Sequence, residues 1–147
     1  MAKFIYRMQS ILEIKLKMED QARTEFATAK MHLDEEEERL QYLKDRKTGY
    51  EQLGRELRKD GLKVFEILEN KEAIDRMEEF IQVQMENVKK AEWQLDEARL
   101  RLQEAMQESK THEKLREKAF DEFIREENAR EAKEVDELTS YTHSRRS

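Results

Sequence analysis

The sequence predicts an all-α fold, a long antiparallel two-helix coiled-coil hairpin, on three observations. There is no proline in 147 residues. The three glycines, Gly49, Gly54 and Gly61, fall close together, and an apolar pattern of period 3.5 runs on either side of them. Proline removes a helix donor and clashes with the preceding turn, so its absence leaves the chain free to run as long helices. The glycines gather where the chain must reverse.

The first arm is expected at about 4–59. Stepping by heptads from Ile5 gives one row: Ile5, Leu12, Glu19, Phe26, Leu33, Leu40, Lys47 and Gly54. The companion row is Met8, Lys15, Ala22, Ala29, Glu36, Leu43, Tyr50 and Leu57. Eleven of these sixteen are apolar, against 37% for the chain. A tip is expected at about 60–70, where Asp60-Gly61 stops the first helix and Leu62, Val64, Phe65, Ile67 and Leu68 form an apolar cluster. Asn70 is the expected N-cap of the second arm, with Glu72 in its first turn.

The second arm is expected at about 71–138. Its rows are Ile74, Ile81, Val88, Leu95, Leu102, Ser109, Arg116, Phe123 and Met77, Gln84, Ala91, Ala98, Ala105, His112, Ala119, Glu126, again with eleven of sixteen apolar. Two sustained seams flanked by charge define a coiled coil. Within a single hairpin domain spanning 1–138, residues 139–147 read as a disordered tail.

In an antiparallel pair, facing residues have numbers with a constant sum. A sum of 131 sets Phe26 on Ala105, Leu33 on Ala98, Leu40 on Ala91 and Leu43 on Val88, large repeatedly meeting small. It makes Lys47 and Gln84 a polar layer and puts Ile5 opposite Glu126, leaving a helical overhang of about 20 residues. A sum of 124 sets Glu36 on Val88 and Leu40 on Gln84, so 131 is the expected register.

Composition bounds the function. Charged residues make up 44% and mean hydropathy is −1.09, too polar for a thick globular core. The net charge of −6 disfavours nucleic acid, whose binding needs a basic surface. Zero cysteines exclude disulfides and thiolate metal sites and fit a cytosolic protein. The N-terminus lacks the apolar run of a signal peptide, and no stretch is long enough to span a membrane.

Catalytic and metal motifs are incomplete. His112-Glu113 opens like a zinc-protease helix motif, but Arg116 stands where the second histidine belongs. The run from Asp34 to Glu38 lacks the glycine turn of a calcium loop and reads as a solvated face. No nucleophile set or phosphate loop can be assembled on a thin hairpin, so no enzyme and no cofactor is expected. Aromatics carry more information. Phe120, Phe123 and Ile124 fall near Phe4, Ile5 and Met8, either closing the open end of the seam or docking into a partner. Tyr42 and Arg46 lie off the seam, where such residues often anchor interfaces, and Trp93 is expected to flank the core.

The segments Phe4–Leu12 (FIYRMQSIL), Gln82–Glu92 (QVQMENVKKAE), Lys110–Phe120 (KTHEKLREKAF) and Lys133–Leu138 (KEVDEL) together resemble the FliJ family of flagellar export proteins. Their order and spacing over the whole chain carry the resemblance. It implies a hairpin of the type III export apparatus, similar to the central stalk of rotary ATPases, cytoplasmic and peripheral at the cytoplasmic face of the flagellar basal body. Its implied partners are the hexameric export ATPase FliI, the export gate protein FlhA and export chaperones, with ring assembly and chaperone recycling among its roles. The stalk analogy implies ring contacts at Phe4, Arg7, Phe120, Phe123, Arg125, Arg130 and Lys133. The family's gate surface maps to Arg39, Leu43, Arg46 and Tyr50 on the first arm, with Met77, Phe80 and Gln84 on the second. An escort chaperone without a stalk role, the equivalent stalk of a virulence secretion system and a bare scaffold are the alternative readings.

Overall fold

The computed structural model describes residues 2–61 and 63–146. Leu62 of the expected tip cluster and Ser147 of the expected tail lie outside the described residues. The fold is all-α, as the seams predict: α1 spans Gln9–Lys59 and α2 spans Val64–Arg146. Among the described residues there is no strand.

Local chemistry explains the boundaries. α1 starts from a turn in which the Gln9 amide donates to the Tyr6 carbonyl at 3.2 Å, so residues 2–8 are not helical, although the first arm was expected from 4. At its other end Arg58 and Lys59 complement the negative helix terminus. The Asp60 amide still donates to Glu56 at 3.3 Å, and Gly61 then takes φ 105°, a left-handed stop open to glycine at little cost. α2 begins three residues beyond, with the Lys63 carbonyl accepting from the Ile67 amide at 3.0 Å and Glu66 in the first turn. The expected tip therefore shrinks, and 64–70 belong to α2. Asn70 is not an N-cap; it lies inside α2 and is buried. Residues 139–146, expected to be disordered, continue α2, with His143, Arg145 and Arg146 suiting its C-terminal end.

The chain divides into a terminal unit, Met1–Gln21 with Gln103–Ser147, and a tip unit, Ala22–Leu102. Both helices pass through both units, antiparallel in each. Every predicted seam position from Leu12 to Leu57, and from Ile74 to Phe123 apart from Arg116, is buried or half-buried. Ile5 and Met8 are exposed, because the chain there is not helical.

The register differs from the expected one. In the tip unit Glu25 pairs with Arg101 at 3.5 Å, Lys47 with Glu78 at 3.3 Å, and Asn70 donates to the Tyr50 carbonyl at 2.8 Å. In the terminal unit Lys15 pairs with Glu108 at 2.8 Å and Arg116 donates to Gln9 at 3.0 Å. These numbers sum to between 120 and 126, centred near 124 and not 131. The pairing is one heptad away, and the Lys47–Gln84 layer does not form.

Buried polar groups decide the matter. Gln84 donates to the Glu36 main-chain carbonyl at 2.9 Å and to its carboxylate, and both residues are buried. Asn70 fits the notch left by Gly54, where a Cβ would overlap its carboxamide oxygen. Ser109 donates to Glu19 at 2.7 Å. At a sum of 131 Glu36 would face Leu95, with no donor from α2 and only Arg39 of its own helix to bond. An unpaired buried polar group costs about 1–3 kcal/mol, more than the difference between two apolar layerings that both set large on small. The observed register keeps that complementarity, placing Leu33 opposite Ala91 and Phe26 opposite Ala98, and both alanines are essentially inaccessible.

Candidate interaction surfaces

In the terminal unit the non-helical start folds its first aromatic onto α2. The Phe4 ring meets Phe120 edge-on at 5.2 Å and Phe123 at 5.4 Å, and the Arg116 guanidinium lies over it at 5.6 Å. Such pairs add about 0.5–1.5 kcal/mol beyond burial. The cluster closes the end of the seam as expected, with Phe4 taking the place that periodicity gave to Ile5. Phe4 and Phe123 are half-buried and Phe120 is partly exposed, so the three present one aromatic edge to solvent. Arg7, three residues after Phe4, is exposed.

Beyond Ile124, α2 continues to Arg146 with nearly every side chain exposed. Arg125, Arg130 and Lys133 lie on this bare stretch, Arg130 bonded to Glu127 at 2.9 Å. Val135, Leu138 and Tyr141 are 60–66% exposed and give this charged stretch an apolar component. Glu108 is held below the usual carboxylate range by the hydrogen bond and charge of Lys15.

In the tip unit the mid-helix set divides. Arg39, Arg46 and Phe80 are exposed; Leu43, Tyr50 and Met77 are half-buried in the seam. Gln84 is buried and spent on Glu36, whose carboxylate also accepts from Arg39 at 3.1 Å. Gln84 therefore fixes the pairing and offers a partner nothing. Arg46 is clamped on one helix face, donating to the Tyr42 hydroxyl at 3.2 Å and the Tyr50 hydroxyl at 2.8 Å, with both rings beneath it. Those two hydroxyls raise its pKa further.

Sequence reasoning missed Leu53 and Val83, 46% and 62% exposed beside this clamp. Leu53 lies on the row that borders the seam and Val83 one row further out, so neither stands out in a pattern read from the seam. Trp93 was expected to flank the core but is 65% exposed, pointing away from the seam. Near the turn, an open groove of about 680 Å³ lies between Leu53 and Leu57 on α1 and Asn70 and Ala73 on α2. Among the described residues, no group of three His, Asp or Glu side chains is placed to hold a metal, and no helix is long and apolar enough to cross a membrane.

Two long antiparallel helices paired along heptad seams define a coiled-coil protein, and these exposed surfaces lie on it. The family profile described as "Flagellar FliJ protein" matches residues 4–147, and the chain belongs to the FliJ family. It is thus a type III export-associated protein, from a family of non-catalytic export components. It is similar in structure to a YscO homolog, CT670 from Chlamydia trachomatis, with TM-score 0.76 and 25% identity over 97% of this chain and 96% of that one. No curated protein matches the chain.

Proposed function

We propose that this chain is a central-stalk-like coupler between the hexameric export ATPase FliI and the export gate protein FlhA, at the cytoplasmic face of the flagellar basal body. The observation that carries the reading is the end of the terminal unit, where the Phe4–Phe120–Phe123 cluster gives way to a bare, charged helix. A single helix with mobile charge suits a narrow channel lined by six repeating subunits. The aromatic edge, with Arg7, supplies the apolar anchor at its mouth. The exposed Arg39, Arg46 and Phe80 in the tip unit supply a second surface for the gate.

Mixing the protein with its cognate ATPase tests this. Full-length protein promotes ring assembly and hydrolysis at about one chain per six subunits, and a deletion after Phe123 does not. If neither changes assembly or hydrolysis with a competent ring, the stalk mechanism is wrong. A second reading, an escort for export chaperones, draws on Trp93 and Leu100, seven residues apart on one outer face and 65% and 55% exposed. One-to-one binding to a soluble chaperone, abolished by Trp93→Ala, supports it. The likeness to a YscO homolog extends the same mechanics to a virulence secretion system.

A further inference from the structure

We infer that the flank of the tip unit centred on Gly49 docks an acidic helix of a partner protein, which approaches α1 closely over that glycine. The inference rests on reading this face as the gate-binding surface and goes beyond it in naming what the face accepts.

The position of the flank follows from one contact. Glu25 and Arg101 meet at 3.5 Å, so the heptad rows through them border the same side of the pair. On α1 that row runs on to Arg39, Arg46 and Leu53. On α2 it runs back to Phe80. The outward neighbours one turn away are Tyr42 and Gly49 on α1, and Arg76 and Val83 on α2. At the observed register Arg76 stands level with Gly49, and Phe80 and Val83 stand level with Tyr42.

Three properties of this flank point to its occupant. First, Gly49 is a glycine in a helix interior with no structural return. A Cβ added there meets nothing within 4 Å and its φ is ordinary, unlike Gly54, whose notch holds Asn70, or Gly61, which makes the stop. Glycine weakens a helix interior relative to alanine, and its other use is to let a second backbone come close. Secondly, the flank that carries Gly49 keeps its apolar side chains largely exposed: Tyr42 is 59% exposed, Leu53 46%, Phe80 52% and Val83 62%. Thirdly, the charge of this flank runs against that of the chain. The net charge is −6, yet between Arg39 and Leu53, and between Ala73 and Asn87, these flanking positions carry Arg39, Arg46 and Arg76 and no carboxylate. The Arg46 guanidinium is already held by two tyrosines, so little side-chain freedom is lost when it meets a carboxylate. A helix with small residues facing Gly49, an apolar residue on Phe80 and Val83, and carboxylates reaching Arg46 and Arg76 satisfies all three.

The test uses the full chain against purified cognate FlhA, with affinity and melting temperature measured on each variant. Gly49→Ala raises the melting temperature by roughly 3 °C and weakens binding; Gly49→Leu weakens it further, by about tenfold or more. Opposite signs on stability and binding are not what a purely structural glycine gives. Affinity falls with added salt, and Arg46→Gln flattens that dependence. If Phe80→Ala abolishes binding while Gly49→Leu binds like wild type, close approach is wrong and the gate surface stands. If Phe80→Ala and Val83→Ser leave binding unchanged, or wild type does not bind, the gate reading of this face fails and takes the inference with it. A drop in melting temperature for Gly49→Ala also overturns the inference, because the fold then needs the glycine.

Discussion

Two glycines five residues apart in one helix respond in opposite ways to the same methyl group. Gly54 faces the seam, and a Cβ there collides with the Asn70 carboxamide, which is fixed by its bond to the Tyr50 carbonyl. Alanine is the better helix former, yet Gly54→Ala lowers stability by about 1–3 kcal/mol, because overpacking outweighs propensity. Urea denaturation of the single variant measures this, and Gly54→Ala in an Asn70→Ala background recovers part of the loss. The Lys15–Glu108 pair belongs to the same scale. Its lowered Glu108 pKa means the folded state holds the carboxylate charged more strongly than the unfolded chain does. That contribution is present above the unfolded carboxylate range and disappears as pH falls through the folded value. Both groups are partly exposed, so the effect is small and screened by salt. The melting temperature of Glu108→Gln therefore falls slightly below wild type at neutral pH and low salt. The two curves converge in acid.

At the scale of the helices, which residues face the partner was legible in the sequence and their vertical alignment was not. Period 3.5 places Leu12, Ala22, Val88, Ala91 and Ala98 inward without reference to any partner, and all five are buried. Alignment is harder, because a heptad seam slid by seven residues still sets apolar on apolar. Glu36 looked like a fault in the observed register when weighed for hydrophobicity against Val88. It is a feature once Gln84 is counted as its donor. Asn70 misled in a similar way, since the same side chain serves as an N-cap or as a buried partner for a helix notch. Exposure on the helix pair was legible where residues fell off the seam conspicuously, as Tyr42 and Arg46 did; Leu53 and Val83 were lost among ordinary apolar residues.

The register argument makes its own prediction. Gln84→Leu leaves the Glu36 carboxylate in the seam with only Arg39 and His32 of its own helix beside it and destabilises the protein by about 1–3 kcal/mol. Glu36→Leu with Gln84→Leu restores stability and weakens the choice between alignments, as replacing a buried polar pair by apolar residues commonly does. The chain has no cysteine, so introduced pairs report alignment cleanly. Leu33→Cys with Ala91→Cys crosslinks in the native register, and Leu33→Cys with Ala98→Cys does not. In the double-leucine background the second pair also closes.

At the scale of the molecule, the bare end of α2 stands apart from the residues that hold the fold. Side chains beyond Ile124 contribute almost no burial, so deleting 125–147 changes stability by under about 1 kcal/mol. On the coupler reading proposed above, the same deletion removes Arg125, Arg130 and Lys133 and is expected to abolish stimulation of the ATPase ring. Thermal melts and an assembly assay on one sample separate the two effects. A variant that lost both together would place the bare helix in the folded core.

The polar layers also bear on how such a protein lengthens through mutation. Inserting seven residues in one helix alone drags Glu36 away from Gln84 or Gly54 away from Asn70. A matched pair of seven-residue insertions, one in each helix at the same level between the layers, leaves every partner in place. Each such event adds about 10 Å to the span. The spacing between the two polar layers of the tip unit is therefore quantised, and it can change only in whole steps of that size.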